Sequence, residues 1–162
     1  MNHASLLVIL AGSLAACGPA MLSSATTPRV PANQQAGAAL RALEGEWTLS
    51  MTQTGGIMGR HRSIEIAWDG KMTATEYKPK KKTVSEQFGA DQMSHLRTLV
   101  SQSSYTPPAT RMDCRDCFVY DVEITSGSTK PFSARVDDTN LDASGVRSLV
   151  TFLTDLMQRS LK

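Results

Sequence analysis

The sequence predicts an α+β domain, an antiparallel sheet of about five strands in the order βββαββα with two helices packed on one face. Two observations predict it. Five segments space apolar residues with period two, Met72 and Ala74 of Lys71 to Tyr77 among them, and two others place apolar residues on one helical face. Trp47, Leu49 and Met51 alternate with Thr48, Ser50 and Thr52 and mark the first strand. Gly55-Gly56-Ile57-Met58-Gly59 interrupts the pattern. Ile64, Ile66 and Trp68 resume it and run into Asp69-Gly70, a strong hairpin signal. Lys71 to Tyr77 returns as a third strand, ending at the basic turn Lys78-Pro79-Lys80-Lys81-Lys82. The spacing of Met93, Leu96, Leu99 and Val100 predicts a helix from Ser85 or Ala90 to Gln102, before Pro107-Pro108. Phe118, Tyr120, Val122 and Ile124 form the fourth strand, and Ser126-Gly127-Ser128 turns the chain. Phe132, Ala134 and Val136 form the fifth. Val146, Leu149, Val150, Leu153, Leu156 and Met157 then give the cleanest helical stripe.

The composition is that of one ordinary globular domain. The 162 residues carry 17 Lys+Arg against 15 Asp+Glu, a formal net charge of +2. That balance gives no electrostatic case for nucleic-acid binding. The chain has three cysteines, an odd number, so at least one has to be explained apart from internal pairing.

Cys17 has its own context. Ala4 to Ala16 is uncharged and apolar through Leu6-Leu7-Val8-Ile9-Leu10, of signal-peptide length and too short to span a bilayer. It ends in Leu14-Ala15-Ala16-Cys17, which resembles the lipobox of bacterial lipoproteins. The resemblance implies cleavage before Cys17, lipidation of its thiol, and a place in the cell envelope. With no Asp beside the cysteine, that place is expected to be the outer membrane. Residues 1–16 are then a signal peptide, and 17–35, rich in Ser, Thr, Pro, Ala and Gln, a flexible tether. The folded domain covers 36–162, opening with a helical turn or two over 36–43.

Cys114-Arg115-Asp116-Cys117 leads into a strand with carboxylates beside it, which raise rather than lower a thiol pKa. In an oxidising envelope a small local disulfide is the expectation, with a redox dithiol as the alternative. A structural zinc site needs two further ligands, and His61 and His95 lie on separate elements. Neither histidine has a nucleophile and an orienting acid in a motif around it, and both read as surface residues. Asp137 and Asp138 close a strand, where they are expected to cap or turn. The Lys80-Lys81-Lys82 run reads as a solvated hairpin end. No phosphate loop is present, because Gly55-Gly56-x-x-Gly59 lacks both the Lys-Ser/Thr ending and a following helix. The expectation is therefore a protein that is not an enzyme and uses no cofactor or metal.

The glycine cluster presents Ile57 and Met58 on a loop free of shielding side chains. A bulge or wide turn explains it without a binding role; a protein-binding loop explains it with one. Thr54-Gly55-Gly56-Ile57-Met58-Gly59 resembles the Ser-Gly-Gly-Phe-x-Gly signature of the emfourin family, proteinaceous inhibitors of protealysin and other thermolysin-like metalloproteases. The helix Met93 to Val100 with Tyr105 behind it is similar to that family's Leu-x-x-Leu-Val helix and trailing aromatic. Asp116-Cys117-Phe118-Val119-Tyr120 is similar to its Asp-x-Phe-x-Tyr strand opening, and Phe132 to Asp138 with Leu149 and Leu153 to its closing strand and helix. Ile57 stands where the family often has Phe, and Cys114 and Cys117 are additions. The resemblance implies a protein partner, a thermolysin-like metalloprotease, met through Gly55, Gly56, Ile57, Met58, Gly59 and Arg60. A second resemblance competes. Gly45-Glu46-Trp47 is similar to the Gly-x-Trp start of lipocalin-like barrels, which bind apolar small molecules.

Overall fold

The computed structural model describes residues 43–108 and 114–162. Cys17, the signal peptide, the tether and all of the short helix expected over 36–43 except Leu43 lie outside these residues. The elements are β1 (Thr48–Gly55), β2 (Arg60–Ala67), β3 (Lys71–Glu76), β4 (Lys82–Gln87), α1 (Ala90–Gln102), β5 (Phe118–Ser126), β6 (Thr129–Asp137) and α2 (Arg147–Ser160). They form one open antiparallel sheet in the order β4-β3-β2-β1-β5-β6. The class is α+β, as the sequence predicts.

The strand count needs correction, from five to six. Residues Lys82–Gln87 pair with β3 from Lys82 opposite Glu76 to Gln87 opposite Lys71. The helix therefore starts at Ala90, the later of the two expected positions. An edge strand is held by one backbone ladder and needs few apolar side chains. Here only Val84, opposite Ala74, packs on the core. The lysine run is the β3–β4 hairpin end, as expected, except that Lys82 turns back. Its Nζ donates to the Leu161 carbonyl at 2.8 Å and ties the edge strand to the end of α2.

Register explains the single core. Leu49 stands between Ile66 and Ile124, and Met51 between Ile64 and Val122. Met72, Ala74, Phe132, Ala134 and Val136 continue the same face, and all are buried. Met93, Leu96, Leu99 and Val100 of α1 join that cluster, with Leu149, Val150, Leu153, Leu156 and Met157 of α2. The opposite face alternates to Thr48, Ser50 and Thr52, with Ser63, Glu65 and Thr73 beyond them. Its ion pairs, Arg135–Asp121 and Lys130–Glu123, are exposed and contribute about 0–1 kcal/mol each. Among the described residues, no helix is long and apolar enough to cross a membrane.

Candidate protein-binding site

Three chain segments meet at one end of the sheet. The β1–β2 hairpin turns there, closed by the Gly59 N–H donating to the Gly56 carbonyl at 2.9 Å. Beside it runs the segment that enters β5. Gly55 pairs with Phe118, and the Gly56 N–H donates to the Cys117 carbonyl at 3.1 Å. On the far side of β5 the turn after β6 closes the group. Asp138 accepts from the Phe118 N–H at 2.7 Å and from the Tyr120 hydroxyl at 3.0 Å.

The sequence predicts the glycines for their conformational freedom, and Gly55, Gly56 and Gly59 all have positive φ. The structure adds a second demand at two of them. A Cβ on Gly55 would run into the Cys117 carbonyl oxygen, and one on Gly56 would lie 2.7 Å from Phe118 Cε1. The base of the loop is pinned against β5, while its tip projects. Ile57 is 88% exposed and Met58 83%, the two most exposed large apolar side chains among the described residues.

Cys114 and Cys117 form the expected disulfide, with Cα atoms 5.5 Å apart. It closes a small loop whose last carbonyl is the one Gly56 holds. The chain thus brings together two sites that the sequence presents separately: the glycine tip and the cysteine pair. Asp137 and Asp138 do the work of a turn, as expected. Asp137 Oδ1 accepts from the Thr139 N–H and hydroxyl and from the Asn140 N–H. Burial first, then the hydrogen bond and negative charge of Asp138, push the Tyr120 hydroxyl up to about 12. That hydroxyl donates to Asp138 Oδ1 while Asp138 Oδ2 accepts the Phe118 N–H, so the carboxylate is held from both sides.

Neither a family model nor a curated protein matches the chain. Arg60 stands exposed at the start of β2 and, with Arg62, Gln158, Leu161 and Lys162, lines a cleft of about 230 Å³ below the tip. Arg62 is mostly buried and paired with Glu76 at 2.9 Å. His61 stacks on Tyr77 with ring centroids 4.3 Å apart, and His95 meets Phe152 edge-on. The two histidines sit on separate elements, as expected. Among the described residues, no group of three His, Cys, Asp or Glu side chains is placed to hold a metal ion. The sheet is open, with β4 and β6 as its edges, whereas a lipocalin-like resemblance implies a closed barrel. Sequence reasoning missed Phe118, the Cys117 carbonyl and Asp138 as the platform behind the tip. No local pattern carries that information, because it depends on β5 pairing with β1.

Proposed function

We propose that the chain is a membrane-anchored protein-binding domain that inhibits a thermolysin-like metalloprotease by placing the β1–β2 tip in its cleft. One observation carries the reading: Ile57 and Met58 are 88% and 83% exposed on a tip whose base is held from behind by the β5 segment. An apolar anchor on a braced loop has little freedom left to lose on docking. A metalloprotease of this type takes an apolar residue beside its zinc, so Ile57 or Met58 fills that subsite and Arg60 meets the rim. The emfourin-like signature around the same residues supports this assignment.

Titration of the purified protein, kept unlipidated by Cys17→Ser, against a panel of such proteases tests it. Truncating an anchor of this kind typically costs about 2 kcal/mol, or roughly thirtyfold in affinity. Ile57→Asp is expected to weaken inhibition by at least about tenfold, the lower end of that scale, with the thermal midpoint unchanged. Absence of inhibition across the whole panel would end the inhibitor reading. Inhibition untouched by changes at Gly56, Ile57 and Met58 would move the site elsewhere.

The anchor is the second half of the proposal. Cleavage before Cys17 and acylation of its thiol and amine would fix the domain to the envelope, most naturally to the outer membrane, at roughly 0.8 kcal/mol per buried CH₂. The intact mass of the mature N-terminal peptide is expected to begin at Cys17 and carry acyl chains. A mature chain beginning at Met1 with a free thiol would remove the anchor.

A further inference from the structure

We infer that the partner receiving the β1–β2 tip carries an acidic rim on one side of its apolar pocket, met by Arg60 and the β3–β4 hairpin. This rests on reading the tip as a protein-binding loop. The β3–β4 hairpin lies beside the strand that leaves the tip. The Tyr77 N–H donates to the His61 carbonyl at 2.9 Å, the two rings stack, and Lys81 Nζ stands 5.9 Å from the Tyr77 ring centre. Arg60, Lys78, Lys80 and Lys81 are all exposed there, and none belongs to an ion pair among the described residues.

Four like charges on adjacent hairpins, none of them neutralised by an ion pair among the described residues, make this end of the sheet locally cationic. Glu44, Glu46 and Asp69 stand at the opposite end of the sheet, where β1 begins and β2 ends. A hairpin end needs one or two polar groups for solvation; four unpaired cations repel one another and serve an external field better than the fold. Such a field raises the local concentration of an oppositely charged partner and speeds encounter by about 10–10³-fold, falling steeply with salt.

The other side of the tip decides between a protein and a lipid surface. On the β5 flank the exposed groups are the carboxylates of Asp116 and Asp138 against the single guanidinium of Arg115, so that side carries no excess of positive charge among the described residues. A flat anionic bilayer approaching the tip would meet those carboxylates together with the lysines. A protein rim can be acidic on the β3–β4 side only, and the lopsided charge then fixes the rotation at which the tip enters.

Association and dissociation rates, measured with a thermolysin-like metalloprotease that the wild-type protein inhibits, test this at low and physiological ionic strength. The double variant Lys80→Glu/Lys81→Glu is expected to slow association at low salt by at least about tenfold and to change dissociation far less. Lys80→Gln/Lys81→Gln should fall between the two, and the wild-type rate should drop as salt rises. Ile57→Asp should act mainly on dissociation. Inhibition retained with an association rate indifferent to both charge variants would overturn the acidic rim and leave the tip reading standing. No inhibition of any protease by the wild-type protein would overturn both. Charge-dependent binding to phosphatidylglycerol vesicles, with protease association unaltered, would assign the cations to the membrane and overturn the inference.

Discussion

Truncating Phe132 to alanine is expected to remove about 3–5 kcal/mol of folding stability, the largest effect of any single change argued for this chain. The side chain is 1% exposed and is the largest of those fully buried. It lies on β6, opposite Ile124 of β5. β6 is an edge strand, so one ladder and the packing of its inward side chains hold it in place. The sheet is covered on that face by the helices, and the hole left by a phenyl ring cannot drain to solvent or close by side-chain rotation alone. A domain of this size has about 5–15 kcal/mol in all, so the variant would sit near its unfolding threshold at ambient temperature. The midpoint of urea unfolding should fall at unchanged slope. Ile57→Ala is the control: with its side chain in solvent, it should stay within about 0.5 kcal/mol of wild type. A loss below about 1 kcal/mol for Phe132→Ala would mean that β6 is not packed as described.

The elements legible in the sequence are those whose burial leaves a periodic trace. Leu49 and Met51, Ile64 and Ile66, Val122 and Ile124 alternate because one face of the sheet is covered and the other is wet. Leu149, Val150, Leu153 and Met157 recur at helical spacing for the same reason. Asp69-Gly70 is legible through local chemistry. Gly70 has positive φ, and Asp69 accepts the Lys71 N–H at 3.0 Å. β4 leaves no such trace. Lys82, Thr83, Ser85, Glu86 and Gln87 are exposed, and the strand exists because β3 offers it a free ladder. Pairing order is equally silent in a single chain. Nothing local to Gly55 says that β5 will lie beside β1, and so the tip was readable but its platform was not. The cysteine pair was legible as a disulfide from spacing and compartment, yet its place behind the tip follows only from the register of Gly55 with Phe118.

That register makes Gly55→Ala the second large effect, an expected loss of about 2–3 kcal/mol from adding one methyl group. Gly55 has φ +102°, outside the regions an L side chain adopts without strain. The new Cβ would also meet the Cys117 carbonyl oxygen, and that oxygen has little room to retreat. It accepts the Gly56 N–H, its residue is joined to Cys114, and the next N–H in the chain is held by Asp138. Strain at Gly55 and closure of the Cys114–Cys117 loop should therefore be coupled, and a double-mutant cycle separates them. Opening the disulfide by Cys114→Ser/Cys117→Ser should itself cost roughly 2 kcal/mol. In that background the Cys117 carbonyl is freer to move, so adding Gly55→Ala should cost at least about 0.5 kcal/mol less than in the oxidised protein. Equal costs in the two backgrounds would show that the backbone of β5, without help from the disulfide, sets the position of that carbonyl. Coupling of the expected sign would make the cysteine pair a brace for the tip, tying the orientation of Ile57 and Met58 to a bond that an oxidising compartment maintains.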